Sequence, residues 1–211
     1  MKFLQPAVVD ELAWRQLHRR RFDGICTLFR SSARLWRRNG EAVARAVSPQ
    51  RNLGELPYLE LLWLPSYRIQ FDAVRGDSSV FVEALVGGNE RTFAVWDFSD
   101  ARWVESAERH HFSATIDASE ALLIARQGLL DSVLRRVRWG RKTRILPDGR
   151  IELVQYPYWV YYFERRADKL DFRMLDGITG RPAGSKVKIA LLTALRSHDS
   201  AKTREKVDCH L

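Results

Sequence analysis

Between Ser66 and Ala73 polar and apolar residues alternate one for one, with Tyr67, Ile69, Phe71 and Ala73 on one side and Ser66, Arg68, Gln70 and Asp72 on the other. A period of two predicts a β-strand with one face in a core and one in water. The stretch Tyr156–Phe163 lacks that contrast. Trp159, Tyr161 and Phe163 share one face, while Tyr158, Val160 and Tyr162 share the opposite one. Both faces must be covered, because leaving either in water exposes a large apolar patch. A polar break at Ala167–Lys169 and a second run, Leu170–Leu175, predict that this strand turns back as an antiparallel hairpin closed by Asp176-Gly177-Ile178-Thr179-Gly180. Pro157, which has no N–H for a ladder, is expected at a strand start or bulge.

The two strand regions align without gaps when Leu59 is laid on Ile151. Glu60 then falls on Glu152, Leu61 on Leu153, Pro65 on Pro157, Phe71 on Phe163 and Gly88 on Gly180. Proline, phenylalanine and glycine each have a distinct backbone or packing role, so their coincidence predicts an internal repeat, Leu59–Gly88 and Ile151–Gly180.

Elsewhere the period lengthens to that of a helix. Val8–Phe22 carries Leu12, Ala13 and Leu17 at helical spacing, with Asp10 or an earlier residue as cap and a basic last turn that suits the helix dipole. Ala118–Arg138 presents Leu122, Ala125, Leu129, Leu130, Val133, Leu134 and Val137 as one stripe, behind a capping pattern of Asp117 and Glu120. This helix is the expected cover for one face of the second hairpin. Val187–Leu195 predicts a short closing helix. Arg91–Phe98 predicts a third strand, and Pro147-Asp148-Gly149 a turn before the second copy. In Ile25–Val47 the Asn39-Gly40 pair suits a hairpin turn, and the surrounding alanines and arginines suit two helices equally well. The fold class is therefore α+β: internally duplicated antiparallel hairpin or meander units with helices packed on the sheets. The expected segments are an N-terminal region (1–57), a first β repeat (58–116), a helix with the second repeat and closing helix (117–196) and a flexible tail (197–211), together making one compact unit.

The 211 residues are 45% hydrophobic and 11% aromatic, which suits a folded globule. No run of about 18 apolar residues predicts a membrane span, and the start of the chain lacks the apolar core of a secretion signal. Cys26 and Cys209 share no motif spacing, which fits a reducing compartment, so the expected location is cytoplasmic. A net charge of +9 favours polyanions, although an arginine surplus also accompanies GC-rich coding.

Two surfaces are candidates for binding. Tyr156, Tyr158 and Tyr162 belong to a residue class that dominates protein contact sites. Arg135, Arg136, Arg138, Trp139, Arg141, Lys142 and Arg144 form the densest basic segment, where an indole among cations would stack on a base while arginines hold phosphates. The same run also reads as a basic helix end with Trp139 sealing the core edge, and no nucleic-acid-binding motif accompanies it. Adjacent His110 and His111 lack the further ligands a metal site needs, as do Cys209 and His210. Phosphate-loop, nucleophile-elbow and zinc-ligand spacings are missing, so no catalytic residue, metal or cofactor is expected.

Tyr156, Pro157 and Trp159, followed by Leu175-Asp176-Gly177-Ile178-Thr179-Gly180, resemble a repeated strand module of poorly characterised bacterial proteins in which a zinc ribbon often precedes the module. The strand-turn ending is also similar to that of PepSY-type domains. The chain departs from both in having neither paired ribbon cysteines nor a membrane segment. The resemblance implies the β-rich fold and brings no activity with it. The expected function is that of a non-enzymatic interaction or scaffold protein that self-associates or binds a protein partner through the second repeat. A nucleic-acid- or phosphate-binding protein using residues 135–144 is the alternative.

Overall fold

The computed structural model describes residues 2–19, 56–75, 78–105, 112–136, 143–164 and 170–195. In chain order these form β1 (Lys2–Leu4), α1 (Asp10–Arg19), β2 (Tyr58–Arg75), β3 (Ser78–Gly87), β4 (Phe93–Val95), β5 (Trp103–Glu105), α2 (Ala118–Arg136), β6 (Thr143–Glu164), β7 (Leu170–Asp176) and a last helix, α3 (185–195). The fold is α+β with a mixed, mostly antiparallel sheet. It divides into two compact units, one of Met1–Gln5 with Trp63–Tyr156 and the other of Pro6–Leu62 with Pro157–Leu211. The units interleave along the chain, unlike the consecutive segments expected from sequence, because β2 and β6 each run through both.

In the first unit the strand order is β4-β3-β2-β6-β1-β5. The ladder between β2 and β3 runs from Ser66↔Gly87 to Arg75↔Ser78, and β1 lies parallel to β6 and antiparallel to β5. The alternation in β2 sorts as its period predicts: Tyr67, Ile69, Phe71 and Ala73 are buried and Asp72 is exposed, with Ser66 the departure at 2% exposure. Ala121, Ala125 and Leu129 of α2 pack on Tyr67, Ile69, Phe71, Ala84 and Val86. Thus α2 covers the first hairpin and not, as expected, the second. On the polar face, Arg68 Nε donates to Glu83 Oε1 at 3.0 Å, and Glu83 Oε2 accepts from the Phe98 amide at 3.1 Å. The guanidinium lies 4.9 Å from the Phe98 ring centre and 5.5 Å from that of Trp103, so cation–π contact holds the covering loop down.

The second unit holds the β6–β7 ladder, from Tyr158↔Asp176 to Glu164↔Leu170. Its Trp159–Tyr161–Phe163 face meets α1, where Val8, Ala13 and Leu17 pack with Tyr161 and Leu175. On the other face Lys188 of α3 sits 5.9 Å from the Phe172 ring centre, and Tyr162 lies 6.3 Å from the same ring. The double-sided strand is covered on both sides, by α1 and α3.

One set of backbone bonds occurs in each unit. The Gly88 amide donates to the Pro65 carbonyl at 2.8 Å, and the Gly88 carbonyl accepts from Thr115 and Ile116 at 3.0 and 3.2 Å, just before α2. The Gly177 amide donates to the Pro157 carbonyl at 3.0 Å, and the Gly177 carbonyl accepts from Ala7 and Val8, both at 2.9 Å, just before α1. The turns close alike. Arg91 donates to Gly87 with a φ of 53°, and Gly180 donates to Asp176 with a φ of 65°. Each turn is followed by return pairing, Val86↔Phe93 in one unit and Leu175↔Pro182 in the other. The β6–β7 ladder is shorter than β2–β3, so these bonds fall at Gly88 and Gly177 and not at the Gly88 and Gly180 matched in the ungapped alignment.

Three further expectations change. Pro147-Asp148-Gly149 lies inside β6, where a Cβ on Gly149 would stand 3.1 Å from Ile69 and Leu122 side-chain atoms, so the glycine lets the strand lie close to that core. The third strand is only Phe93–Val95. Leu12 and Leu130, placed on inward helix stripes, are 45% and 51% exposed because smaller Ala13, Ala121 and Ala125 face the sheets at closest approach. Ile25–Val47 and the tail from 197 lie outside the described residues.

A Cβ on Gly88 or Gly177 would stand 2.9 Å from a proline carbonyl oxygen, whereas one on Gly184 meets nothing within 4 Å. Gly88→Ala and Gly177→Ala should each cost about 1–3 kcal/mol in urea unfolding, each lowering amide protection in its own unit, while Gly184→Ala should be near neutral.

Candidate functional site

Polar side chains near the hairpin turns and helix starts differ in how they are satisfied. Asp117 Oδ1 caps α2 by accepting from the Glu120 amide at 2.8 Å. In the second unit Asp176 Oδ1 accepts from the Ile178 and Thr179 amides, each at 2.9 Å. The equivalent position in the first unit is Gly87, which has no side chain. Glu90 folds back into that space instead, its Oε1 lying 2.1 Å from where a Gly87 Cβ would stand. Burial raises the Glu90 pKa, against the lowering effect of the Glu90 and Asn89 amides and the Thr92 hydroxyl. Its Oε2 and the Asn89 Nδ2 are buried without a hydrogen-bond partner. Burial likewise lowers the Lys188 pKa, partly opposed by Asp171.

The three tyrosines expected at a contact surface are core residues, with exposures of 1% for Tyr156, 7% for Tyr158 and 0% for Tyr162. Tyr156 packs edge-on to Trp96 at 5.7 Å between ring centres. The Tyr162 hydroxyl donates to Glu60 Oε1 at 2.7 Å, which satisfies the group that most opposes burying a tyrosine. These residues therefore offer no surface. Of the basic segment, Arg135 and Arg136 end α2 and Arg144 lies in β6, while Arg138, Trp139, Arg141 and Lys142 lie outside the described residues. His110, His111, Cys26, Cys209 and His210 are outside them too.

In the second unit exposed apolar groups flank α1 on two sides, Val9 and Leu12 on one and Trp14 on the other. Inward-facing contacts fix the helix: Trp159 Nε1 donates to the Val8 carbonyl at 2.8 Å, and Arg173 Nη1 donates to that of Leu17 at 2.7 Å. His18 Nδ1 and the Tyr161 hydroxyl are hydrogen-bonded at 2.9 Å, and Trp14 lies edge-on to Tyr161 at 5.2 Å. With the helix so held, Val9 is 62% exposed, Leu12 45% and Trp14 36%. Asp10, Glu11, Trp14 and Arg15 line an open cleft of about 420 Å³ against Leu59 of β2. An open cleft walled by a helix flank suits a partner's side chains better than a ligand that needs enclosure. The sequence signal for this flank was present in Val9, Leu12 and Trp14, which cannot all face one hairpin from a single helix.

Among the described residues no three His, Cys, Asp or Glu side chains are grouped to hold a metal ion, and no helix is long and apolar enough to cross a membrane. The fold and this flank define an α+β protein of two hairpin–helix units. Comparison with protein-family models, curated proteins and solved structures finds no match.

Glu90 yields a pH prediction. Its folded pKa lies above the ordinary 4.5, so its neutral form suits the fold and stability falls as pH rises from 4.5 through the folded value. Glu90→Gln should flatten that part of the stability–pH curve and raise the midpoint at neutral pH. An unchanged curve would mean that Glu90 titrates as a solvated acid.

Proposed function

We propose that this is a non-enzymatic protein-interaction protein, made from a duplicated helix–hairpin unit, that engages a protein partner through the outer flank of α1. The duplication rests on the recurring proline–glycine bond, the glycine carbonyl bonded twice before a helix, and the positive φ three residues further on. In this reading Glu90 takes the place of Asp176 in its turn. The helix of each copy docks on the hairpin of the other copy.

The observation that carries the interaction reading is the exposed apolar pair Val9 and Leu12, three residues apart on one flank at the start of α1, with Trp14 half-exposed in the cleft on the other side. A partner segment with apolar side chains fits Val9 and Leu12, and basic ones would meet Asp10 and Glu11 in the adjoining cleft, which Arg15 and Trp14 also line.

A photo-crosslinking residue at Leu12 should trap a partner that the same residue at Leu123, 65% exposed on α2, does not. Leu12→Asp should weaken that partner's binding by about tenfold or more, about 1.4 kcal/mol, without lowering the thermal midpoint. Binding of generic duplex DNA that falls steeply with salt and ignores Leu12→Asp would favour the basic segment around Arg135 and Arg136 instead.

A further inference from the structure

The turn Gly87–Thr92 at the end of the first hairpin faces two ways. Asn89 Oδ1 accepts from the Thr115 amide at 2.9 Å, the Gly88 carbonyl takes the amides of Thr115 and Ile116, and Arg91 pairs with Glu120 in the first turn of α2 at 2.9 Å. These contacts seat the start of α2. Glu90, between Asn89 and Arg91, folds to the other side. Register places Gly87 opposite Ser66, away from the Tyr67 face that α2 covers, and the Glu90 carboxyl lies where a Gly87 Cβ would stand. Its Oε1 accepts from Thr92 Oγ1 at 3.3 Å, while its Oε2 is buried without a hydrogen-bond partner, as is Asn89 Nδ2. The cations nearby are committed elsewhere, Arg68 to Glu83 and Glu152, and Arg91 to Glu120. Of the other titratable groups around the seat, Tyr67 is held protonated by burial and donates to the Ile116 carbonyl, and the Ser119 hydroxyl holds Asp117 below the usual carboxylate range. Among the described residues this unit contains no histidine.

We infer that Glu90 is a proton-operated latch on the seat of α2. Neutral, its folded side chain fills the hollow over Gly87 and keeps the turn in the form that holds the helix. Ionised, it leaves for water and the hold loosens. A buried oxygen without a partner is far costlier on a carboxylate than on a neutral carboxyl. Burial raises the Glu90 pKa above 4.5, so the folded side chain prevails below 4.5 and is lost as pH rises through the folded value. Asn89 and Arg91 on either side of Glu90 both reach α2 through their side chains, so a local opening of the turn extends to the first turn of the helix. Gly87 creates the hollow. Its backbone is that of an ordinary strand residue, so the missing side chain makes room for Glu90 and does not serve the chain conformation. The outer flank of α1 belongs to the other unit, and the latch works whether or not that flank binds a partner.

Amide protection factors, measured by hydrogen exchange on the full chain between about pH 4 and about pH 8, test the latch. Those of Thr115 and Ile116 should fall about threefold or more as pH rises. Those of Ala7 and Val8 should stay level, because they bond to Gly177 beside a turn whose acid, Asp176, is satisfied by two amides. The fall should level off once the wild-type Glu90 carboxyl carbon has titrated. Glu90→Gln should keep Thr115 and Ile116 protected at every pH. Gly87→Ala, whose Cβ takes the place of the carboxyl, should keep them weakly protected at every pH. Thr115 and Ile116 protection that follows Ala7 and Val8 throughout would overturn the inference. So would a fall that persists in Glu90→Gln, or one that continues after the Glu90 carboxyl has titrated.

Discussion

Two peptide carbonyls set the geometry of this protein. The Gly88 oxygen takes the amides of Thr115 and Ile116, and the Gly177 oxygen takes those of Ala7 and Val8. Each pair lies two and three residues ahead of a helix, so a single acceptor fixes where the helix begins above its hairpin. Net, such bonds contribute only about 1 kcal/mol each, but leaving buried amides unpaired would cost more. The carbonyl is available because each glycine lies against a proline whose own carbonyl occupies the space a side chain would need. Proline supplies an acceptor without a competing donor, and glycine allows the close approach.

Alanine then decides how the helices sit. Ala13 in one unit, and Ala121 and Ala125 in the other, are fully buried where larger residues would hold helix and sheet apart. The larger apolar side chains are displaced to the helix flanks, and around α1 this leaves Val9 and Leu12 at the surface on one side and Trp14, beside two carboxylates, on the other. The flank that carries the functional proposal is thus a consequence of docking the helix through small residues.

The two turns hold their acids differently. Asp176 satisfies the following amides from the first position of its turn, whereas Glu90 reaches back over Gly87 from within its turn. An aspartate suits the short reach. The longer glutamate has to fold inward, loses solvent and prefers its neutral form.

By itself the sequence determined the strand alternation of β2, the double-sided character of Tyr156–Phe163, the helices α1, α2 and α3 and the capping role of Asp117. These follow from local periodicity and from short-range hydrogen bonding, which neighbouring residues specify. Only the tertiary structure decided that α2 covers the first hairpin and α1 the second, and that Tyr156, Tyr158 and Tyr162 are core. Those outcomes depend on which distant carbonyl anchors a helix and on partners such as Glu60 for the Tyr162 hydroxyl. Apolar periodicity shows that a face must be buried, but it does not say against what.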